Sequence, residues 1–327
     1  MSDLTPLIKI LSDGKFHSGT AIGEALHVQR AAVWKWIEQV RSLGVTVDAV
    51  TGRGYRLKTP LELLDITEIE SHLKQIGCDA SLEIILEGSL GSTNSELATQ
   101  SRDGAPSGRV LLAEYQTQGR GRNQRGWVSP FASQIAMSLL WRYNEVPFGL
   151  TGLSLVVGIA VAQALKLVGV GGIQLKWPND IYCQGKKLGG ILVEVQGEPS
   201  GPCALIIGVG INVDLRGAKD KVCEIDQPWI DCYSVKGGSV SRNELSASLI
   251  KNIVSYMEQF QDDGFGAFVD QWNALDYLVG QAVIMQLSRG EARGIARGVS
   301  RNGGLLIEND GQIQELFSGD ASLIRGQ

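Results

Sequence analysis

Apolar positions at the start of the chain recur with a helical period. Leu7, Ile8, Ile10 and Leu11 form a stripe that stops at Asp13-Gly14, and Ser18 is placed to cap a short helix through Leu26. After the turn His27-Val28-Gln29, residues Val33, Ile37 and Val40 fall at i, i+4 and i+7 of a third helix, leaving Gln29, Arg30 and Lys35 on its polar side. Two short strands, VTVDAV and YRL, follow around a TGRG turn with Arg53 at the tip. Three helices and a hairpin in this order predict a winged helix-turn-helix, with residues 18–56 presenting a polar helix face suited to a major groove. A three-helix protein-binding module has the same pattern. Trp34 and Trp36 cannot point the same way on one helix, so one joins the core and the other faces DNA or a partner.

Thr59-Pro60 ends this module. From about 66 to 272 short apolar runs alternate with helical patterns. LEIILEG is a strand leading into a polar loop, Gly88 to Asn94. GRVLLAEYQTQ is another, and WVSPFASQIAMSLLW returns as a strand after Ser129-Pro130. KWPNDIYCQGKKLGGILVEV reads as a strand, a Pro-Asn-Asp turn and a second strand, and CALIIGVGINV as a strand with Gly208 and Gly210 near its end. Arg216 to Gly238 is a long polar loop, after which Ser241 and Glu244 form a capping-box pattern. That box opens a helix with Leu245, Leu249, Ile253, Met257 and Phe260 on one face. From Val279 short strands separated by SRGE, RNGG and NDG predict a small β-barrel. The whole is an α+β multidomain chain divided as 1–62, 63–275 and 276–327, with a mixed α/β centre. Val146 to Leu165 carries no charge, yet its Pro147, Gly149, Gly152 and Gly158 make it a helix buried in a core rather than a membrane span.

Composition narrows the class. Of 327 residues 43% are hydrophobic and 20% charged, ordinary for a soluble protein of two or three domains. Five cysteines without a CxxC pair give neither a disulfide framework nor a zinc site, which fits a reducing cytosol and a cytoplasmic location. Charge is uneven: residues 1–60 carry a net +3 and the remainder −8, which points to nucleic-acid contact through the first part only.

The segment Gly119 to Trp127, GRGRNQRGW, carries the most chemistry. It sets Arg120, Arg122 and Arg125 beside glycines whose backbone can approach a ligand closely, and guanidinium forks suit phosphate or carboxylate. A flexible basic surface loop has the same composition. Other mechanisms are absent: there is no P-loop, no HExxH, and only His17, His27 and His72 to act as imidazole bases. Cationic and hydrogen-bonding chemistry remains.

With GSTN at Gly91 to Asn94, KWPND at Lys176 to Asp180 leading into KKLGGILVE, and GVGINV at Gly208 to Val213, this loop resembles the glycine- and arginine-rich adenylate loop of the biotin protein ligases. The four segments come in the family's order and the resemblance covers nearly the whole chain. It implies a central domain like the class II synthetases, an SH3-like barrel at the C-terminus, and synthesis of biotinyl-5'-AMP from biotin and ATP with Mg2+. The adenylate then biotinylates a lysine of biotin carboxyl carrier protein.

By the same resemblance Ser92, Thr93, Asn94 and Gln116 face the biotin ring, although helix capping explains the first three equally well. Gly119, Arg120, Gly121, Arg122 and Lys187 hold the carboxylate and phosphate, with Arg125 toward pyrophosphate; a Lys186-Lys187 pair on a solvated hairpin is the bland alternative. Asp180 receives or orients the acceptor lysine, and Gly208, Gly210 and Asn212 lie beside the ligand. Trp229 stacks on adenine, and Arg325 reaches toward ATP. No protein-only metal site is expected. Some members also repress biotin-synthesis genes, which implies operator DNA bound through Gln29, Arg30, Lys35 and Arg53 by a homodimer that forms with the adenylate as corepressor. The chain departs from the usual pattern at Asn123, Gln124 and Gly126, where an arginine, a glycine and a basic residue are more usual. A lipoate ligase, a non-catalytic sensor of a small acid and a ligase without DNA binding are the competing readings.

Overall fold

A computed structural model describes residues 4–145, 150–197, 202–287 and 290–324. Helices α1 (Thr5–Leu11), α2 (Gly19–Ala25) and α3 (Arg30–Ser42) bury Leu7, Ile8, Leu11, Ile22, Val33, Ile37 and Val40 in one small core. Ser18 caps α2, its Oγ accepting from the Ala21 N–H at 3.0 Å. Gly23 lets the turn into α3 close, since a Cβ there would lie 2.6 Å from the Val28 carbonyl oxygen. Strands β1 (Val47–Val50) and β2 (Gly54–Leu57) pair antiparallel as the wing. Of the two tryptophans, Trp36 packs on this core and Trp34 is 55% exposed.

Helix α4 (Ile66–Gln75), capped by Asp65, opens the central unit. It continues through β3 (Glu83–Glu87), α5 (Thr93–Arg102), β4 (Arg109–Ala113), β5 (Gln134–Tyr143), α6 (Leu153–Leu167), β6 (Ile173–Lys176), β7 (Asp180–Cys183), β8 (Lys186–Gly197) and β9 (Cys203–Asn212). The seven strands lie in the order β3-β4-β5-β9-β8-β7-β6, antiparallel except for β3 beside β4. Alternation on β4 separates two cores: Val110 and Leu112 enter the large one, and Leu111 the smaller one with Leu97 of α5. Where two strands were expected from KWPND onward there are three. Gln184-Gly185, both at positive φ, turn a second hairpin between β7 and β8.

The long loop carries two short helices, α7 (Lys219–Val222) and α8 (Cys232–Lys236), before α9 (Arg242–Asp263) and α10 (Val269–Asn273). In α6 every residue from Leu155 to Ala162 is buried, in the same large core as α9. No helix among the described residues is long and apolar enough to cross a membrane. The C-terminal unit is a five-stranded antiparallel sheet of β10 (Ala282–Gln286), β11 (Glu291–Val299), β12 (Leu305–Asn309), β13 (Gln312–Leu316) and β14 (Asp320–Leu323), ordered β13-β12-β11-β10-β14.

The capping box at α9 forms only in part. Ser241 Oγ accepts from the Glu244 N–H at 3.2 Å, but it is Glu62, before α4, that accepts from the Ser241 hydroxyl at 2.7 Å and the Arg242 N–H at 2.5 Å. The Arg242 side chain, 3% exposed, donates to the Gln134 carbonyl (3.0 and 2.8 Å) and the Glu62 carbonyl (2.7 Å), and its Nη1 lies 2.7 Å from a Glu114 carboxylate oxygen. Replacing it strands a buried carboxylate and two carbonyls, so Arg242→Met is expected to cost about 3–5 kcal/mol of stability, read from denaturant midpoints.

Asp276, between α10 and β10, is buried with Oδ1 accepting from the Leu278 N–H and Oδ2 without a hydrogen-bond partner among the described residues. Burial pushes its carboxyl up to about 6. An acid raised in the fold supports stability at low pH and loses that support as pH rises through its folded value. Asp276→Asn should therefore melt higher than wild type at pH 8 and converge with it near pH 4, in thermal unfolding at the two pH values.

Candidate active site

A cavity of about 1020 Å3 opens between the ends of the central strands, the Gly119–Trp127 loop, the 221–229 segment and residues 320–322 of the C-terminal sheet. Every described residue named from the sequence as a ligand or catalytic contact lines it, from Ser92 and Gln116 through Arg125 and Asp180 to Trp229. Arg325 lies outside the described residues.

The floor is polar and uncharged. Gln116 Oε1 accepts from the Thr93 N–H at 2.8 Å and its hydroxyl at 3.2 Å, and the Ser138 hydroxyl lies 2.8 Å from Thr93 Oγ1 and 2.6 Å from Asn94 Oδ1. The Asn94 amide nitrogen donates to Glu194 at 2.8 Å and to the Leu192 carbonyl at 3.1 Å. Asn94 is thus committed to the protein on both ends of its amide. Of the Ser92-Thr93-Asn94 set, Ser92 alone has a side chain with no hydrogen-bond partner among the described residues. Asn212 is committed too, accepting from Gln134 Nε2 at 2.8 Å and donating to the Ile230 carbonyl at 3.1 Å.

Trp127 forms a wall that the sequence reading treated only as part of the motif. Its indole covers Gly210, where a Cβ would meet the ring at 2.7 Å, and its N–H donates to Gln134 Oε1 at 3.0 Å. In the GxG of β9, Gly210 therefore leaves space for a ring that belongs to the protein, and Gly208 leaves space for the Asn94 amide. The preceding loop closes on itself through Gly121 N–H to the Arg125 carbonyl and Trp127 N–H to the Gly119 carbonyl, each 2.8 Å. Asn123 and Gln124 sit at φ 53° and 58° inside it, the left-handed region that glycine tolerates best.

The cations come next. Lys187 lies 2.8 Å from Asp180, Arg120 3.5 Å from Glu194, and Arg122 and Arg125 lie 3.6 and 2.8 Å from the two oxygens of Asp320. Arg122 also reaches Asn179 Oδ1 at 3.4 Å. Two further cations were missed by sequence reasoning: Lys221, paired with Glu224, and Lys176, which lines the cavity without an ion pair among the described residues and whose ammonium pKa is lowered by burial. For Lys176, its place at the head of KWPND was the available signal. Trp229 is positioned by the backbone, with Lys187 N–H bonded to the Pro228 carbonyl and Ile230 N–H to the Lys187 carbonyl, both 3.0 Å.

These features make a cation-lined cavity over a neutral hydrogen-bonding floor. Residues 90–212 match the Biotin/lipoate A/B protein ligase family, 4–56 an HTH domain, and 278–324 the Biotin protein ligase C terminal domain. The bifunctional ligase/repressor BirA of Escherichia coli (strain K12) is 38% identical over 317 residues, covering 97% of this chain and 96% of that protein. Its Bacillus subtilis (strain 168) counterpart is 33% identical over 326 residues, 97% of each chain. A biotin protein ligase from Aquifex aeolicus, solved in complex with biotin and ATP, superposes with a TM-score of 0.64 at 31% identity over 75% of this chain and 99% of its own. The chain belongs to the biotin protein ligase family, in the group that carries an N-terminal helix-turn-helix.

Gly210→Ala should overpack the Trp127 wall and cost about 1–3 kcal/mol, measurable by urea denaturation, while the same change at the open Gly266 should be close to neutral.

Proposed function

We propose that the chain joins biotin to ATP as biotinyl-5'-AMP, transfers biotin to a lysine of biotin carboxyl carrier protein, and with the adenylate bound dimerises and represses biotin-synthesis genes. One observation carries the enzymatic half: six cations, Lys176, Lys187, Lys221, Arg120, Arg122 and Arg125, line one cavity whose floor is uncharged and hydrogen-bonding. Biotin's carboxylate and the α-phosphate of ATP must come within about 3 Å, and that repulsion is what such a ring offsets. The carboxylate is ionised near neutral pH and attacks the phosphorus, and the bond to pyrophosphate breaks. Ser92 and Gln116 face the ureido ring, Lys187 and Arg122 hold the joined carboxylate and phosphate, and Trp229 stacks on adenine. Arg125 and Lys176 grip the leaving pyrophosphate. In the second step the acceptor amine attacks the acyl carbon, AMP leaves, and Asp180 takes the ammonium proton. Mg2+ would be held by the nucleotide's own phosphates and supplies further charge neutralisation; among the described residues no three His, Cys, Asp or Glu side chains gather into a metal site.

We place the domain divisions near residues 62 and 275. The regulatory half rests on the helix-turn-helix and on linkage: if the adenylate favours the dimer, it favours two half-sites being bound at once.

Incubating the chain with biotin, MgATP and a biotin carboxyl carrier domain should add one biotin to the carrier, read by mass. Arg122→Ala should slow transfer about 100-fold or more and release free adenylate. Tight biotin binding without transfer would instead identify a non-catalytic sensor.

A further inference from the structure

The exposed face of α3 presents Arg30, Ala31, Trp34 and Lys35, turned away from the buried Val33, Ile37 and Val40. Trp34 is 55% exposed and its indole N–H has no protein partner among the described residues. The surroundings carry several cations. The Arg30 stem packs by Gly19 at the start of α2, where a Cβ would meet Arg30 Cγ at 3.4 Å and the Tyr55 ring of the wing at 3.5 Å. On the wing, Arg53 and Arg56 lie over the Phe16 ring at 4.2 and 4.5 Å. Arg56 is paired with Asp48 and Arg41 with Glu38, whereas Arg30, Lys35 and Arg53 enter no ion pair among the described residues. An uncharged ring on a fixed helix face, accompanied by cations free to take phosphates, has the charge complement of duplex DNA.

We propose that Trp34 is a specificity-determining residue that reads the operator by packing its indole on a thymine methyl in the major groove, an inference that rests on the repressor half of the proposed function. The division of labour follows from chemistry. Phosphate contacts from Arg30, Lys35 and Arg53 give affinity that falls with salt and carry little sequence information. The indole contributes no charge, and in the major groove the C5-methyl of thymine is the apolar mark a side chain can recognise. Trp34 therefore sets sequence preference without changing the salt dependence, and Lys35 does the reverse.

The test uses the full chain with biotin and MgATP, and a pool of 40-base-pair duplexes of random sequence. Wild type is expected to enrich a motif containing a thymine whose replacement by deoxyuridine, which removes only the methyl, weakens binding. Trp34→Ala should lose about 5- to 100-fold of its preference for that motif over random duplex. It should be indifferent to the deoxyuridine change and keep the wild-type salt slope, while Trp34→Phe restores part of the preference. Lys35→Ala should keep the preference and reduce the salt slope by about 0.9. Enrichment of the same motif by Trp34→Ala, with an unchanged ratio, overturns the role of Trp34 and leaves the repressor reading standing. So does a loss of dimer mass in sedimentation with motif preference intact, which makes the face a protein contact. No motif enriched by wild type removes both.

Discussion

The structure depends on where the Arg242 guanidinium is held. A buried cation is tolerated only when its donors are used, and here Nε and Nη2 share the Gln134 carbonyl while Nη1 reaches the Glu62 carbonyl. Its approach to Glu114 is one of charge rather than a directed hydrogen bond, and the other oxygen of that carboxylate accepts from the Leu64 N–H at 2.6 Å. Three pieces of chain are thereby fixed to one another: the 62–64 link after the wing, the start of β5, and the first turn of α9. Gln134 passes the constraint to the cavity. Its carbonyl serves Arg242 while its side chain holds the Trp127 indole, the Val128 carbonyl and Asn212. The wall of the candidate active site thus stands on the residue that anchors the link to the DNA-binding unit.

The paired state of the cations is a second consequence of physical necessity. Arginines and lysines gathered in one cavity repel each other, and carboxylates from β7, β8 and β14 offset that repulsion. Incoming anions must exchange with these carboxylates. The exchange weakens net binding, yet it keeps the site assembled beforehand, so less ordering remains to be done when substrates arrive. Asp320 is notable because it comes from the C-terminal sheet and ties down both Arg122 and Arg125 of the loop. An anion that took those arginines would loosen the contact between loop and C-terminal unit.

Much of this was legible in the sequence because the signals are local. Ser18 at a helix start, Val33, Ile37 and Val40 on one stripe, and strands bounded by glycine turns all follow from neighbours a few residues apart. The GRGR loop and Lys187 were singled out through the resemblance of whole motifs, since their composition alone fits a solvated surface loop and hairpin as well. What was hidden depends on distant partners. The Arg242 contacts span 108 and 180 residues and end largely on carbonyls, which have no signature in sequence. Asn94 was read as a ligand donor, but its amide meets Leu192 and Glu194 about a hundred positions away. Glu244 was assigned the acceptor role in the capping box, but the carboxylate at this helix start is that of Glu62, which accepts from the Ser241 hydroxyl and the Arg242 N–H. The third strand after KWPND was missed because Gln184 adopts a backbone conformation more often taken by glycine or asparagine.

The N-terminal unit meets the rest of the chain at points close to the cavity. Its core includes Phe131 and Ala132, four and five residues beyond the Trp127 wall, and Thr46 donates to the Gly217 carbonyl at 3.4 Å, just ahead of the segment that brings Trp229 into place. A shift of the loop or of that segment would bear on the surface where the wing unit docks, because the two are packed together. If a ligand favours one arrangement of the cavity and with it one placement of α3, then by linkage DNA that prefers that placement tightens the ligand. The cavity and this docking surface share Trp127, Gln134 and Arg242 as common supports.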